Sequence, residues 1–334
     1  MAKRKKYGTP YQGSKSTIAE FIIGKLPSAK HLYDLFAGGC ALSHCALLSG
    51  KYDTIHANDL SDSPQLFLRA VNGGLKDEKR WISREDFFAL RSTDPYVRIS
   101  WSFGNNGKDY LYSRKIEPYK KACHYAIVLD KWELLAELCP EIAEPCRAAL
   151  EGITDTKERR MTFGPTVVKW LKANGTAEMV EGNPLYNSCH KKKVVNSDEA
   201  DAVRRLQSLE SLESLERLET TQLDYREVEI AEDSVIVCDI PYNTQCGKSK
   251  KHYDVDFDHA AFFDWAAKQT QPLFICEYNI SDDRFVEYAS ISKVCSLSAS
   301  TTTIKQEKLY IPRHQQAMIE GLINNQEAIW GAER

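Results

Sequence analysis

Two segments of the chain have the composition of a strand and then end on a carboxylate. Residues 235–243 read VIVCDIPYN, so an apolar, β-branched run stops at Asp239 and continues with Pro241 and Tyr242. Upstream, the segment DTIHANDLS carries Asp59 near its end. Proline fixes φ and has no N–H, so it would stiffen the turn that follows Asp239. We predict that both carboxylates lie at the ends of strands, where they can bind a polar ligand.

The elements around Asp59 predict a sheet that binds a nucleoside cofactor. The segment YQGSKSTIAEFIIGKLP is typical of a loop that leads into an amphipathic helix ending near Pro27. HLYDLFAGG predicts a strand that breaks at Gly38 and Gly39, and CALSHCALLSG predicts a helix that closes at Gly50. A strand, a glycine turn, a helix and a strand with a terminal acid form the opening of a doubly wound α/β sheet.

The rest of the sheet is predicted in the second half of the chain. TTQLDYREV, DSVIVCDIPY and PLFICEYN read as strands, ISKVCSLSAST and IKQEKLYIP as a hairpin-like pair, and DFDHAAFFDWAAK as a helix between strands. The intervening segment loses the sheet pattern and is helical in parts. We therefore predict a sheet domain formed by residues 1–62 and 197–312, an inserted domain at 63–196, and a polar helical tail at 313–334.

A leucine repeat precedes the second half of the sheet. Five leucines, from Leu206 to Leu218, recur at every third position. This spacing spreads the side chains over a wide arc of a helix rather than along one seam. It predicts a buried helix, with a short solenoid-like turn as the alternative, and neither implies chemistry.

Composition limits the class of protein. A chain of 334 residues with 43% hydrophobic content can form a packed core. Ten cysteines without a C-x-x-C pair predict reduced thiols in a cytoplasmic protein and no metal site. The absence of a signal peptide or an 18-residue apolar run predicts a soluble protein without membrane contact. Residues 1–30 hold seven Lys/Arg against one acid, Glu20, which fits either an anionic partner on one face or a solvated basic end.

The motifs YQGSK, DLFAGG, NDLS, LDY, DIPY and EYN occur in this order, with a long insertion before LDY. In this set and order the sequence resembles the bacterial and phage DNA adenine N6 methyltransferases of the D12 class. The resemblance covers residues 1–105 and 197–312, whereas 110–196 resembles nothing identifiable. It implies an α/β fold: a doubly wound mixed sheet of the S-adenosylmethionine-dependent methyltransferase type with an inserted, mainly helical target-recognition domain.

The resemblance also implies S-adenosyl-L-methionine as the cofactor. The glycine turn and Lys15 would contact its methionine end, Asp59 would accept hydrogen bonds from its ribose hydroxyls, and Asp224 would accept one from its adenine amine. Taken singly, these residues could equally be a turn, a surface lysine and two helix caps. The cofactor-binding residues that we expect are Tyr11, Lys15, Asp34, Phe36, Gly38, Gly39, Asp59, Asp224 and Tyr225.

The stretch DIPY resembles the catalytic D-x-P-Y signature of this family. It implies that Asp239 and the backbone carbonyl of Ile240 accept the two N–H bonds of a target adenine, while Pro241 stiffens the turn and Tyr242 stacks on the flipped base. The methyl group would then pass directly to N6 without a covalent enzyme intermediate. Most family members carry proline where Ile240 stands, but a backbone carbonyl does not depend on the side chain.

The implied partner is double-stranded DNA. An RNA adenine N6 methyltransferase and a catalytically inactive, cofactor-gated DNA-binding protein remain alternatives. We expect a monomer or weak dimer, and the sequence does not reveal whether a partner restriction nuclease exists. The segment WSFGNNGKDYLY either reads bases or forms a packed hairpin. The DNA-binding residues that we predict are Lys5, Lys6, Asn105, Asn106, Lys108, Lys248, Lys250 and Lys251.

Overall fold

The structure is a computed structural model that describes residues 5–192, 206, 215–242, 257–295 and 303–332. The chain divides into two compact units. The first unit consists of Met1–Thr9, Gly13–Asn72 and Ser211–Arg334, and the second of Pro10–Gln12 and Gly73–Glu210. The sequence placed the start of the insert ten residues earlier, at 63, and the functional roles of the two units remain predictions.

Within the described residues, the first unit is built on a seven-stranded sheet in the order β3-β2-β1-β4-β5-β7-β6. Neighbours among β1 to β5 are parallel, whereas β7 is antiparallel to β5 and to β6. The strands are β1 His31–Asp34, β2 Thr54–Asn58, β3 Leu218–Thr221, β4 Ser234–Cys238, β5 Leu273–Glu277, β6 Phe285–Cys295 and β7 Thr303–Pro312. The predicted fold class, a doubly wound mixed sheet, is confirmed.

Helices flank this sheet and form most of the second unit. The bounds of the helices are α1 Ala19–Lys25, α2 Ala41–Ser49, α3 Ser63–Val71, α4 Arg84–Leu90, α5 Pro95–Ser100, α6 Glu117–Leu129, α7 Glu133–Leu138, α8 Pro140–Leu150, α9 Thr156–Asn174, α10 Ala177–Gly182, α11 Pro184–Lys192, α12 His259–Ala266 and α13 Gln316–Ala332. Helix α2 ends where the sequence predicted, because Gly50 adopts a left-handed φ of 70°.

The topology brings two distant parts of the sequence to one edge of the sheet. Strand β1 pairs in parallel with β2 on one side and with β4 on the other, so that Asp34 lies opposite both Ala57 and Val237. The pairing of β1 with β4 continues past the strand end, where Leu35 N donates to Val237 O over 3.1 Å. The order in which strands are added to the sheet reverses between β1 and β4. Ligands bind at this position in open α/β sheets.

The second unit has its own helical core. The core joins α6, α7, α8, α9 and α11 through buried apolar side chains that include Ile127, Leu135 and Phe163. Side chains accept backbone N–H groups at several helix starts, as Ser83 does in a capping box with Asp86. The described part of this unit is thus mainly helical.

Two sequence predictions differ from the structure. Leu218 was predicted in a helix but begins β3, because it pairs with Ile55 in the sheet. Leu206 is helical and buried, and 207–214 lies outside the described residues. TTQLDYREV is not one strand, since β3 ends at Thr221 and a short 3-10 helix follows at Tyr225–Glu227.

The last elements of the chain also extend the predictions. Strand β6 starts at Phe285, six residues before the predicted start, and pairs with β7 as the expected hairpin. The predicted polar tail forms helix α13, which packs within the first unit. The amide of Gln326 bonds to both the N–H and the carbonyl of Ser28, at 3.0 and 3.1 Å.

Candidate active site

The glycine turn after β1 is fixed by an N-terminal loop. Gly38 and Cys40 have left-handed φ values of 47° and 57°, which bend the chain sharply into α2. The backbone N–H of Thr9 donates to the carbonyl of Gly39 over 2.7 Å. Gly8 approaches so closely that a Cβ there would lie 2.2 Å from the same carbonyl. Sequence reasoning missed Gly8 and Thr9, because their partner lies thirty residues away in the chain.

Asp34 lies buried beneath this turn. Its Oδ2 accepts hydrogen bonds from the Ser43 N–H (3.2 Å) and hydroxyl (2.6 Å) at the start of α2. Its Oδ1 is buried and has no hydrogen-bond partner among the described residues. Burial raises the pKa of this carboxyl to about 7, against the lowering effect of the Ser43 hydrogen bonds. Asp34 therefore offers one unsatisfied acceptor at the carboxyl end of β1.

Asp59 joins the ends of β1 and β2. Its Oδ2 accepts the N–H of Gly38 over 2.8 Å, and its Oδ1 accepts the N–H and the hydroxyl of Ser61 over 2.8 and 2.7 Å. The carboxylate is thus held against the glycine turn, directly after the end of β2, where the sequence predicted it. Each oxygen has more than one lone pair, so these bonds leave acceptor capacity for a further ligand.

Aromatic rings line the region that follows β3. Phe36 lies 5.4 Å from Tyr225 and 5.7 Å from Phe257 between ring centroids, and Phe262 packs against the same group. The sequence identified Phe36 and Tyr225 but not Phe257. Asp224, next to Tyr225, caps the short 3-10 helix and binds Arg226 at 2.7 Å, and hydrogen bonds from Arg226 lower the pKa of its carboxyl. The alternative of a helix cap therefore describes Asp224 in this structure.

The DIPY turn follows β4 directly. The Ile240 side chain is buried in the apolar core. His259 Nε2 donates to the carbonyl of Pro241 over 2.8 Å, which anchors the turn to the start of α12. Asp239 binds Lys15, whose Nζ lies 2.8 Å from Oδ1. The first and second halves of the sequence motif set thus meet through an ion pair.

Lys15 is a buried cation between two carboxylates. Its side chain is 5% exposed, and its Nζ lies 3.9 Å from Glu307 Oε2 and 4.5 Å from the centroid of the Tyr242 ring. Burial lowers the pKa of the ammonium, but the charges of Asp239 and Glu307 outweigh it and hold the pKa above its ordinary value. Lys15 is therefore charged, and it is not the surface lysine that the sequence left open.

Glu307 of β7 is the acidic residue that sequence reasoning missed. It accepts the Tyr242 hydroxyl over 2.6 Å and the Tyr278 hydroxyl over 3.4 Å. A signal existed: in the strand IKQEKLYIP, Glu307 shares its face with Leu309 and Ile311, both buried. A charged residue on an otherwise apolar strand face predicts a buried hydrogen-bond or ion-pair partner.

The predicted DNA-binding residues are scattered and only partly described. Lys5 and Lys6 are exposed in the first unit. In the second unit, the Asn105 amide donates to the carbonyl of Ile99 over 2.9 Å. Asn106 bonds within its own turn. Lys108 is exposed, and Lys248, Lys250 and Lys251 lie outside the described residues.

The segment WSFGNNGKDYLY forms a compact turn. Ser102 and Tyr110 form an antiparallel bridge, which supports the hairpin alternative, and the two asparagine amides serve to hold the turn. Its most exposed large side chain is Phe103, at 68% exposure, which the sequence reading did not single out. Tyr11, predicted at the cofactor, is half-buried and is grouped with this second unit.

A thiolate mechanism does not fit the one Pro-Cys pair of the chain. Pro145 and Cys146 lie inside α8, and Cys146 is fully buried. Burial raises the pKa of this thiol to about 12, which makes it a poor nucleophile. The position of this pair inside a helix indicates a structural role. Separately, none of the helices in the described part of the chain is long and apolar enough to span a membrane.

Comparison with known families supports the reading of the motifs. A family model described as D12 class N6 adenine-specific DNA methyltransferase matches residues 11–144. The family resemblance predicted from the motifs is thus confirmed, and the matched family is one of enzymes. The match includes Lys15, Asp34, Gly38 and Asp59 and continues to residue 144, beyond the point where the motif resemblance ended. No curated protein matches the chain.

Proposed function

From the premise that residues 11–144 match the D12 class of adenine-specific DNA methyltransferases, we propose that this protein transfers a methyl group from S-adenosylmethionine to N6 of adenine in double-stranded DNA. The observation that carries the proposal is the adjacency of β1 and β4. Because these strands are parallel neighbours, the Asp34 and Gly38 turn lies beside the Asp239 turn at one sheet edge. A cofactor site and a catalytic motif therefore share one crevice.

The residues after β1 and β2 fit the chemical groups of the cofactor. The buried, unpaired Oδ1 of Asp34 suits the cofactor's ammonium group, since a buried acceptor is costly without a donor. The turn at Gly38 and Gly39 exposes backbone to the methionine carboxylate at the start of α2, and Asp59 Oδ2, beside its bond to the Gly38 N–H, retains acceptor capacity for a ribose hydroxyl. Phe36 and Tyr225 supply apolar surface for the adenine.

Two residues predicted to contact the cofactor, Lys15 and Asp224, bind other side chains in this structure. Lys15 binds Asp239 here, so we propose that it orients the catalytic carboxylate in addition to any contact with the methionine end. Asp224 binds Arg226, so an adenine amine would have to share or displace that partner. Tyr11 is a further proposed contact to the cofactor.

The DIPY turn supplies the acceptors for the target amine. The lone pair of an adenine amino group is delocalised into the ring, so the amine is a weak nucleophile. Asp239 and the carbonyl of Ile240 would each accept a hydrogen bond from one N–H group of the amine and favour a tetrahedral nitrogen. Asp239 would then take up the proton that the methylated amine loses. When bound, S-adenosylmethionine supplies the methyl group on a sulfonium. Positioning and electrostatics then account for the acceleration.

Access to the amine requires the adenine to leave the duplex. Tyr242 provides a ring on which the extruded base can stack, and stacking of this kind contributes about 1–3 kcal/mol. Phosphate contacts from Lys5, Lys6, Lys108, Lys248, Lys250 and Lys251 would hold the duplex.

The experiment that tests this function compares nucleic acids. Methyl groups labelled in the cofactor should enter duplex DNA that contains adenine, and not matched duplex or single-stranded RNA. Incorporation into RNA alone would favour the RNA adenine methyltransferase. Cofactor-dependent DNA binding without incorporation would favour the inactive DNA-binding protein.

A further inference from the structure

We propose that Glu307 is a positioning residue for the target base, which acts by fixing the hydroxyl of Tyr242 and thereby the orientation of the ring on which the base stacks. The inference deepens the proposed function and rests on it. It assigns a role to a residue of β7 that belongs to no motif identified in the sequence. Four observations lead to it.

The first is the location of the charge. Glu307 is 5% exposed on a strand that lies between β5 and β6, where its neighbours on the same face, Leu309 and Ile311, are fully buried. A carboxylate at such a position is costly unless hydrogen bonds and opposite charge compensate it. An apolar residue would serve the core better, so the carboxylate must have a function that needs its acceptors.

The second is the pair of hydroxyls that the carboxylate holds. Oε2 accepts the Tyr242 hydroxyl over 2.6 Å, and Oε1 lies 3.4 Å from the Tyr278 hydroxyl. The two rings meet edge to face, with centroids 4.5 Å apart and planes at 70°. One carboxylate therefore fixes the far ends of both rings, and their mutual packing fixes the plane of the Tyr242 ring.

The third is the backbone that carries Tyr242. The ring follows Pro241, whose φ is fixed and whose carbonyl is held by His259. The backbone of the turn is thus already anchored, and the rotation of the Tyr242 side chain remains as its main freedom. Glu307 removes that freedom through the hydroxyl, at the end of the ring farthest from the backbone.

The fourth is the shared cation. Lys15 contacts Asp239 at 2.8 Å, lies 3.9 Å from Glu307 and sits 4.5 Å from the Tyr242 ring centroid. The carboxylate that binds the target amine and the carboxylate that orients the stacking ring therefore face one ammonium. This arrangement couples the position of the base to the position of its acceptor.

The proposal separates base capture from chemistry. Without the Glu307 carboxylate, the Tyr242 ring can still stack on the base, but it is no longer held in one orientation. The affinity for the flipped base should therefore fall. The chemical step at saturating DNA should change less, because Asp239 and Lys15 remain. Cofactor affinity should stay the same, since Glu307 contacts the stacking ring rather than the glycine turn.

The test uses the full chain with duplex DNA that carries 2-aminopurine at the target adenine. Glu307→Ala should raise the DNA concentration needed for half-maximal fluorescence change, and the KM for DNA, by about tenfold, within the range expected for one stacked base. The rate at saturating DNA should fall less than threefold, and cofactor affinity should be unchanged. Glu307→Gln, which keeps an acceptor for the Tyr242 hydroxyl, should restore most of the KM.

Two further variants keep the proposal testable if Glu307→Ala fails to fold. Tyr242→Phe removes only the hydroxyl, so it should raise the KM by a similar factor. Glu287→Gln, which alters an exposed acid paired with Lys308 on the neighbouring strands, is the matched control and should behave as wild type.

The outcomes distinguish the inference from the proposed function. A wild-type protein that does not methylate DNA would refute the function itself. A wild-type protein that methylates DNA, together with Tyr242→Phe and Glu307→Ala variants whose KM matches that of Glu287→Gln, would overturn only the role of Glu307. Equal losses in KM, rate and cofactor affinity would also overturn it, because they indicate a general structural defect.

Discussion

The two halves of the candidate site hold their carboxylates in different ways. After β1 and β2, Asp34 and Asp59 are bound by hydroxyls and backbone N–H groups, all of which lie between residues 34 and 61. After β4, Asp239 shares a buried lysine with Glu307, and these three groups come from residues 15, 239 and 307. In the first half the carboxylates are held by neutral donors that lie close in the sequence, whereas in the second half they are held by a charged lysine and come from distant parts of the chain.

This difference has energetic consequences. A hydrogen bond to a backbone N–H survives most substitutions nearby, because the backbone remains. A buried ion pair that loses one partner leaves an uncompensated charge. The glycine-turn half should therefore tolerate changes with moderate loss of binding, and the DIPY half should lose stability or catalysis sharply.

The largest effect on stability is expected from the removal of Lys15. Lys15→Met would leave the carboxylates of Asp239 and Glu307 close together without a cation, and the free energy of unfolding should fall by about 3–5 kcal/mol. Lys308→Met, which breaks the surface pair with Glu287, should cost about 0–1 kcal/mol. Denaturant unfolding measures both values, and equal losses in the two variants would contradict the idea of a charge-coupled half.

The next largest effect concerns chemistry rather than stability. Asp239→Ala removes one acceptor of the target amine, so the chemical step should slow by about a hundredfold or more, equivalent to about 2.7–4 kcal/mol. Cofactor affinity should change little. Single-turnover rates at saturating cofactor and DNA measure the step, and a rate equal to that of wild type would remove Asp239 from catalysis.

A matching change in the other half should affect binding. Asp59→Ala removes the acceptor expected for the ribose hydroxyls and releases the N–H of Gly38. Cofactor affinity should fall by about 1.5–3 kcal/mol, the range for hydrogen bonds to a charged group. Calorimetry with S-adenosylmethionine measures the change, with Asp53→Ala, an exposed acid before β2, as the control. Unchanged affinity would exclude Asp59 from the cofactor site.

The smallest expected effect is a pH dependence from Asp34. Burial raises the pKa of its carboxyl to about 7, so the free folded protein holds a proton there that the unfolded chain releases at lower pH. Its contribution to stability therefore falls as pH rises from about 4 to about 7. A cofactor ammonium needs the carboxylate, so affinity should rise with pH up to about 7, by at most about tenfold per unit.

The Asp34 prediction is checked by calorimetry between about pH 5.5 and about pH 8. Asp34→Asn should bind more weakly above pH 7 and lose the dependence below it. A wild-type affinity that is flat with pH, or the same slope in Asp34→Asn, would show that this carboxyl does not titrate against the cofactor.

The glycine-turn half of the site was the easier one to predict from sequence. Glycine turns and strand-terminal acids act within a few tens of residues, so DLFAGG and NDLS indicate both the fold and the binding edge. The adjacency of Gly8 with Gly39 could not be read from sequence, because a close backbone approach leaves no pattern beyond the glycine itself. The extent of β3 was missed because pairing of Leu218 with Ile55 overrides a helical leucine spacing.

The DIPY half of the site was predicted only in part. DIPY identified Asp239 and Tyr242 through resemblance, but the partner of both, Glu307, lies in a hairpin strand with no motif. Its distance in sequence hides the contact, although the charge on an apolar strand face was visible. Long-range ion pairs depend on strand order, which places β7 beside β5 only after the sheet has formed.

The most direct test of the account is the identity of the methylated base. Duplex DNA is incubated with the protein and S-adenosylmethionine carrying an isotope-labelled methyl group, then digested, and its nucleosides are analysed by mass spectrometry. The account predicts labelled N6-methyldeoxyadenosine with the wild-type protein and at least a hundredfold less with Asp239→Ala, as expected for one lost transition-state contact of about 2.7–4 kcal/mol. Label in cytosine, or equal labelling of adenine by both proteins, would contradict it.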